Sequence, residues 1–318
     1  MPRRVTLDAQ LTPSVAESVG LPAPGAGQIR VRVVRAGVNF WEVMQRRGRV
    51  PAPADGVPGT EGVGVVDELG AGVTAPAVGD RVAWSKVPGS YADQVVGPAD
   101  SFVSVPDEVD DDTAAGLLFQ GTTAAYLCEA AWPVAQGDPV VVTSASGGVG
   151  LLLTQLLVAR GAVVVGAVSS PDKAGASRDA GAARVLTYGG GLAEEIRTLH
   201  PEGVAAVFDA VGAGVVEPLV ATLRPRGALV LYGAASGKEA QIGASDLGRG
   251  SLFLTRTAGR DYLPTSDVVA EYSRMLLALA GSGRLRVRVD RVLPLEDTMA
   301  AWDALESRRS IGKILLAP

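Results

Sequence analysis

The second half of the chain, from about residue 114, alternates apolar strand-like segments with helix-like segments. The segments "PVVVTSA", "AVVVGAV" and "VAAVFDAV" are apolar almost throughout, and a stretch with helical character follows each of them. Strands that are apolar on both faces and separated by helices indicate a parallel sheet covered by helices on both sides. We therefore predict an α/β domain with a doubly wound parallel sheet over residues 118–261.

The first part of the chain has short strand-like segments between glycine and proline turns. Apolar and polar residues alternate over four segments, at 28–39, 61–70, 79–84 and 89–98. This pattern is typical of half-buried strands and predicts a β-rich barrel or sandwich. After the α/β region we expect a helix over 267–280, a strand, a helix over 296–307 and a last short strand. We expect this tail to return to the first domain, so that 1–117 and 262–318 form one β-rich domain.

Composition and charge exclude several classes of function. The 318 residues are 47% apolar and 20% charged, which is the balance of a globular protein with a large core. The net charge of −5 argues against a nucleic-acid partner, because binding to phosphate backbones depends on clustered Lys and Arg. Glycine, serine and arginine interrupt the longest apolar region, so we expect no membrane span. A single cysteine, Cys128, fits a reducing compartment, and we expect a cytoplasmic protein.

A glycine-rich turn follows the first strand of the α/β region. Residues 145–150 read Ala-Ser-Gly-Gly-Val-Gly, a dinucleotide-binding pattern with alanine in the first glycine position. Such a turn needs a bare backbone beside the pyrophosphate and close packing of helix on strand, which Gly147, Gly148 and Gly150 supply. The helix that begins there presents unpaired N–H groups to an anion. We predict that this turn binds a dinucleotide.

The end of the next strand indicates which dinucleotide is bound. A site that prefers NAD usually carries Asp or Glu there to accept from the ribose 2′-OH. Here the chain reads "AVSSPDK", with the hydroxyls of Ser169 and Ser170 and the ammonium of Lys173 in place of a carboxylate. These groups suit a 2′-phosphate and predict NADPH. Ser170 followed by Pro171 is also a good helix start without any ligand.

The residue types limit metal chemistry. The chain has one histidine, His200, and one cysteine. Neither a Cys/His catalytic zinc site nor a four-cysteine structural site can be assembled from them. We predict an acceptor that takes up hydride without a metal ion.

The order of motifs resembles the medium-chain dehydrogenase/reductase superfamily, and specifically its zinc-independent quinone oxidoreductase (zeta-crystallin-like) branch. The resemblance covers nearly the whole chain, through "AGVNFWEVMQRRG", "VPGTEGVGVV", "VGDRVAW", "GSYADQVV", "LFQGTTAAYL", "SASGGVG", "SSPDK", "VFDAVG", "LVLYGAASG" and "LFLTRT". It implies a GroES-like catalytic domain made from both chain ends, a Rossmann domain that binds NADPH, and a homodimer formed through the Rossmann sheets.

The same resemblance implies residues that contact the cofactor. Thr123 is expected near the nicotinamide, and Gly148 and Val149 at the pyrophosphate. Tyr188 joins Ser170 and Lys173 at the 2′-phosphate and adenosine ribose. The remaining expected cofactor contacts are Phe40, Met44, Val211, Tyr232, Gly233, Ala234, Ala235, Phe253, Leu254, Thr255 and Arg308.

Asn39 and Glu42 correspond to the family's active-site segment "N-F-x-D", with Glu in place of the usual Asp. Related quinone reductases often carry Tyr two residues later, where this chain has Met44, so that phenol is missing. Trp41 and Met44 would make this pocket more apolar, which suits a bulky aromatic acceptor, and ordinary packing explains them equally well. Arg256 is the remaining charged residue that we expect near the substrate. Its charge fits a catalytic role and a structural ion pair equally well.

We expect an NADPH-dependent reductase of a quinone or similar conjugated carbonyl. One alternative is a 2-enoyl thioester or alkenal reductase, which must also protonate the α-carbon. A second is a non-catalytic NADPH-binding protein. Binding of RNA, a further possibility for such a protein, is disfavoured by the acidic pI near 5.1.

Overall fold

The computed structural model describes residues 1–17 and 23–318 of the chain. The described residues divide into two compact units. The first unit comprises Met1–Thr122 together with Thr265–Pro318, and the second comprises Thr123–Pro264. The two chain ends therefore belong to one unit.

The elements follow in chain order. The first part of the chain forms β1 (Arg3–Leu7), β2 (Pro13–Glu17), β3 (Gln28–Val38), α1 (Phe40–Arg46), β4 (Glu61–Leu69), β5 (Arg81–Ser85), β6 (Gln94–Pro98), β7 (Phe102–Ser104) and α2 (Asp111–Tyr126). The middle part forms β8 (Pro139–Thr143), α3 (Gly148–Ala159), β9 (Val163–Val168), α4 (Ala174–Asp179), β10 (Arg184–Thr187), α5 (Leu192–Leu199), β11 (Val204–Asp209), α6 (Val216–Leu219), β12 (Leu223–Leu231), α7 (Ala244–Gly248), β13 (Phe253–Arg256) and α8 (Gly259–Tyr262). The last part forms α9 (Ser266–Gly281), β14 (Val289–Pro294), α10 (Thr298–Glu306) and β15 (Lys313–Ala317).

A seven-stranded sheet organises the first unit. Its strands run in the order β14-β15-β3-β4-β5-β7, and β6 also pairs with β3. β3 is central because it pairs antiparallel with β4, β6 and β15. The alternation over 28–39 predicted this strand, and that prediction is confirmed. The core packed on the sheet includes Val31, Trp84, Trp302 and Ile314, none of them more than 1% exposed.

A six-stranded sheet organises the second unit, with strands in the order β10-β9-β8-β11-β12-β13. All of its strand pairs are parallel, which confirms the predicted doubly wound sheet. Every residue of β11 is buried, and this burial explains why the central strands are apolar in sequence. The strand order reverses between β8 and β11. In such sheets ligands bind outside the carboxyl ends of the strands at that point.

Two local features were not predicted from the sequence. The helix α1 has seven residues, too few to show a 3.6-residue period, and it begins after Asn39 with Glu42 in its first turn. The helix α2 begins at Asp111, ahead of residue 114, where we placed the start of the alternating helix-like and strand-like segments. Over the part of the chain that the structure describes, no helix combines the length and apolar character needed to cross a membrane.

Candidate active site

The glycine turn joins β8 to the start of α3. Ser144 takes a positive φ of 51°, and its carbonyl oxygen accepts from the Gly147 N–H at 2.9 Å. Gly147 is the residue before the helix, and no side chain among the described residues caps the helix start. The first N–H groups of a helix have no partner within the helix, so this turn presents uncapped donors and the positive end of the helix dipole.

Steric contact explains the last glycine of the turn. A Cβ at Gly150 would overlap the Ser144 carbonyl oxygen and lie 2.9 Å from Ala145 Cα. No side chain fits there unless the turn moves. This is the close helix–strand packing that the dinucleotide pattern requires of its last glycine.

A buried carboxylate ties the ends of β8 and β11 together. Asp209 accepts from the Thr143 hydroxyl at 2.6 Å and from the Gly212 N–H at 2.7 Å. The Thr143 oxygen in turn accepts from the Ala210 N–H at 3.0 Å. Burial raises the pKa of Asp209, and these hydrogen bonds oppose the rise. The network fixes the loop that carries Val211, and the sequence signal for it was the single acidic residue in "VFDAVG".

The residues expected at the 2′-phosphate lie at the ends of β9 and β10. Ser170 precedes a short 3-10 turn, Pro171–Lys173, and Lys173 is only 7% exposed. The Ser170 hydroxyl donates to the exposed Asp172 carboxylate and lowers the pKa of Asp172. Tyr188 directly follows β10, and its hydroxyl oxygen accepts from the Ser144 N–H at 2.6 Å. The fold therefore brings Tyr188 onto the glycine turn.

The loop after β12 packs against the loop after β11. The Ala210 carbonyl oxygen accepts from the Ala235 N–H at 2.9 Å, and a Cβ at Gly233 would lie 2.6 Å from that oxygen. The Gly233 carbonyl oxygen accepts from Arg256 Nη1 at 2.6 Å. Tyr232 is held nearby, with its hydroxyl 3.5 Å from the Thr143 carbonyl oxygen. Arg256 therefore lies beside this predicted cofactor loop.

Two tyrosines of the second unit stack at the same edge of the sheet. The Tyr126 and Tyr262 rings are 4.6 Å apart and inclined by 7°. The Tyr126 hydroxyl lies 3.5 Å from the Thr257 hydroxyl, and it also bonds the side chain of Thr123. Burial raises the pKa of Tyr126. No sequence pattern indicated this pair, because the two tyrosines are far apart along the chain.

The edge strand β13 carries exposed apolar residues. Phe253 is 50% exposed and Leu254 is 39% exposed, and the next residue is Thr255. The Phe253 ring lies 5.4 Å from the ring of Trp132.

In the first unit, the side chain of Glu42 caps the start of α1 through the backbone of Asn39. Glu42 Oε2 accepts from the Asn39 N–H at 2.8 Å, and Oε1 accepts from the Thr60 hydroxyl at 3.2 Å. Both Asn39 and Glu42 are buried. Burial raises the pKa of Glu42 to about 7. Phe40 and Met44, on the same helix, are half-buried, while Arg308 follows α10 with a positive φ of 54°.

Asn39 also contacts a buried ion pair that was not predicted from the sequence. Lys313 Nζ donates to Glu61 Oε2 at 2.6 Å and to Asn39 Oδ1 at 2.7 Å. Both charged side chains are fully buried. The sequence feature that could have drawn attention to Lys313 is the scarcity of lysine, because the chain has only three other lysines, Lys86, Lys173 and Lys238.

The described residues hold no group of three or more His, Cys, Asp or Glu side chains able to bind a metal ion. Burial raises the pKa of the Cys128 thiol to about 11. A thiol with that pKa is protonated at neutral pH and is a poor nucleophile.

Comparison with known proteins gives matches over both units. The GroES-like domain of alcohol dehydrogenases matches residues 25–128, and the zinc-binding dehydrogenase model matches residues 148–276. A 2-haloacrylate reductase of Burkholderia sp. is 36% identical over 96% of this chain and 95% of its own length. A quinone oxidoreductase of Pseudomonas aeruginosa is 33% identical over the full length of both chains. The solved structure of Escherichia coli quinone oxidoreductase complexed with NADPH is 30% identical, with a TM-score of 0.93 and full coverage of both chains.

Proposed function

Because the chain belongs to the quinone oxidoreductase family of medium-chain dehydrogenases/reductases, we propose that it is an NADPH-dependent reductase of quinones or similar conjugated carbonyls. One observation carries the proposal. The uncapped glycine turn of α3 lies at the reversal of strand order, with Tyr188 bonded to it.

The residues of the second unit fit NADPH. The steric limit at Gly150 supports a turn that packs closely, and the helix start leaves backbone donors for the pyrophosphate. The last residue of β9, Val168, carries no carboxylate to accept from a ribose hydroxyl, and Ser170 and Lys173 follow it. We propose that Gly147, Gly148 and Val149 hold the pyrophosphate. The Ser170 hydroxyl, which donates to Asp172, would donate to the 2′-phosphate of bound NADPH.

NADPH supplies a hydride from its nicotinamide ring when it is bound. We propose that Thr123, Val211 and the Tyr232–Ala235 loop hold the nicotinamide half, and that Arg256 contacts the acceptor. In the first unit we assign Asn39, Phe40 and Met44 to the acceptor and nicotinamide, and Arg308 to the cofactor. Both Glu42 oxygens accept hydrogen bonds within the protein, from the Asn39 N–H and the Thr60 hydroxyl, and we propose that Glu42 acts by holding the start of α1. Water then supplies the one proton that the quinone takes up together with the hydride.

We further propose that the reaction needs no zinc, because one histidine and one cysteine cannot build a Cys/His zinc site. The exposed Phe253 and Leu254 on the edge strand β13 support a homodimer in which the two β13 strands pair. The single cysteine, a free thiol, supports a reducing compartment such as the cytoplasm.

A second candidate is reduction of an electron-poor alkene conjugated to a carbonyl or carboxylate. The 36% identity to a 2-haloacrylate reductase favours it. This reaction adds hydride to the β-carbon and needs a proton at the α-carbon. The enoyl thioester and alkenal substrates considered above belong to the same class.

Steady-state oxidation of NADPH by the purified protein separates these candidates. The acceptors are p-benzoquinone, 2-chloroacrylate and crotonyl thioester, each measured also with NADH. We expect the highest kcat/KM with p-benzoquinone and NADPH. Turnover of only 2-chloroacrylate or the thioester would refute the quinone assignment. Tight binding of NADPH with no turnover of any acceptor would support a non-catalytic protein.

A further inference from the structure

The buried ion pair of the first unit is part of a larger polar network. Glu61 Oε2 accepts from Lys313 Nζ at 2.6 Å and from Asn39 Nδ2 at 3.2 Å. Glu61 Oε1 accepts from the Phe119 N–H at 2.7 Å. The network therefore joins β15, β4, α2 and the residue that precedes α1.

Only a carboxylate satisfies the donors around position 61. The Lys313 ammonium and the Asn39 amide point at one oxygen, and the Phe119 N–H points at the other. The amide of glutamine has one acceptor oxygen and one NH₂ group, so its NH₂ group would face one of these donors. As long as Lys313 faces position 61, glutamate therefore matches the surrounding donors and glutamine does not.

Two glycines make room for the network. A Cβ at Gly37 would overlap Glu61 Oε2 and lie 2.7 Å from the Ala115 carbonyl oxygen. A Cβ at Gly116, inside α2, would lie 3.1 Å from Lys313 Cγ and 3.0 Å from Val287 Cγ1. The absence of a side chain at Gly37 leaves room for Glu61, and its absence at Gly116 leaves room for Lys313.

A fully buried ion pair is weak support for stability, because removing two charges from water costs several kcal/mol per ion in general. In some proteins, buried polar or ionic groups are retained because they specify one arrangement of the structure around them. Here the network ends on Asn39. The amide of Asn39 is bonded at both ends, and its N–H is held by Glu42. The start of α1 is therefore fixed from two sides.

We propose that Lys313 and Glu61 are positioning residues of the reductase. They hold the Asn39 amide and the first turn of α1 in one arrangement, and they thereby place Phe40 and Met44 for the reaction. This inference rests on the proposed function, which assigns the α1 segment to the acceptor and nicotinamide.

The first test removes both charges in the variant K313M/E61Q. Replacing a buried ion pair with hydrophobic residues of similar volume is often neutral or stabilising, and Met and Gln match Lys and Glu in volume, so we expect a folded protein. In this variant the new amide oxygen at position 61 can still accept from the Phe119 N–H, but Asn39 loses the ammonium that fixes its oxygen. We expect kcat for p-benzoquinone to fall about 10- to 100-fold, the range expected for misplaced reacting groups. The Kd of NADPH should change less than kcat, because we assign its phosphates to the second unit.

The matched control is R81M/D111N, which removes an ion pair of 2.8 Å between β5 and α2 in the same unit. This pair does not touch Asn39, so we expect wild-type kcat.

A pair of glycine variants tests the same idea without removing a charge. G116A crowds the Lys313 stem, whereas G121A on the same helix crowds only Leu117 and Leu276. Both substitutions favour the helix, so both proteins should fold. We expect a severalfold lower kcat for G116A and wild-type kcat for G121A. This comparison decides the question if K313M/E61Q fails to fold.

The outcomes separate the two proposals. The positioning role is wrong if the wild type is active and kcat is equal in K313M/E61Q and R81M/D111N, or equal in G116A and G121A. The proposed function would still stand after that result. A wild type that oxidises NADPH with none of the acceptors would overturn the proposed function, and the positioning role with it. A lower melting temperature at unchanged kcat would show a structural role only.

Discussion

The carboxyl group of Glu42 gives the sharpest prediction, which concerns the pH dependence of stability. Burial raises the pKa of Glu42 from the ordinary 4.5 to about 7 in the folded protein, while Lys313 and the hydrogen bonds from Asn39 and Thr60 oppose the rise. Two other titratable groups, Tyr91 and Glu61, lie in the surroundings of Glu42. Between pH 4.5 and about 7 the folded state therefore keeps a proton that the unfolded state releases.

The sign and size of the effect follow from this difference. The stabilisation is complete below pH 4.5 and is lost as the pH rises through about 7. At about 1.4 kcal/mol for each pH unit, the loss is about 3 kcal/mol. The variant E42Q cannot titrate, and its amide can accept from the Asn39 N–H and donate to the Thr60 hydroxyl. Its unfolding free energy should match the wild type near pH 4.5 and exceed it by about 3 kcal/mol above pH 7.

Urea unfolding followed by tryptophan fluorescence measures this difference at a series of pH values. The quantity of interest is the unfolding free energy of E42Q minus that of the wild type, because contributions from the other titrating groups cancel. E271Q, a change at an exposed position of α9, controls for the loss of one negative charge. A difference between E42Q and the wild type that does not change across this pH range would refute the reasoning.

Other predictions concern the cofactor, the turn and the dimer. K173A should lower the preference for NADPH over NADH about 10- to 100-fold, since a hydrogen bond to a charged group contributes about 1.5–3 kcal/mol. D172N should raise this preference, because it removes the negative charge that competes with a phosphate for the Ser170 hydroxyl. The ratio of kcat/KM values measures both effects, and an unchanged ratio in K173A removes the phosphate role of Lys173. G150A should lower the unfolding free energy by about 1–3 kcal/mol, because the new Cβ overlaps the Ser144 carbonyl oxygen. It should also weaken the binding of NADPH, which calorimetry measures. An unchanged unfolding free energy and an unchanged Kd would show that the turn adapts to the larger side chain. F253D should give a monomer in analytical ultracentrifugation if β13 pairs with its copy, and a stable dimer would place that interface elsewhere.

The sequence predicted the second unit well because its constraints are local. The glycine turn, the apolar strands and the missing acid at the end of β9 each lie within a few residues along the chain. Tyr188 is different, since its bond to the Ser144 N–H spans 44 residues. Only the resemblance to a family pointed to it.

The first unit was harder because its polar contacts join distant residues. Lys313 meets Asn39 across 274 residues and Glu61 across 252 residues. In sequence Lys313 only precedes an apolar strand, and Glu61 begins another. Neither hydrophobic periodicity nor spacing carries information about such a pair, because the pairing depends on β15 returning to β3. The resemblance to the family placed Glu42 in the active-site segment. Its hydrogen bonds to the Asn39 N–H and the Thr60 hydroxyl could be seen only in the structure.

The direction of Glu42 also bears on which acceptor suits this chain. The Asn39 amide is bonded at both ends, and Glu42 is partly protonated at neutral pH, but both of its oxygens are already held by the Asn39 N–H and the Thr60 hydroxyl. Met44 carries no proton to donate. A reduced quinone needs protons only on oxygen, which exchanges them readily with water, whereas a reduced enoyl or acrylate acceptor needs one on carbon from a positioned acid. The chemistry of this segment therefore favours the quinone, even though the 2-haloacrylate reductase has the higher sequence identity.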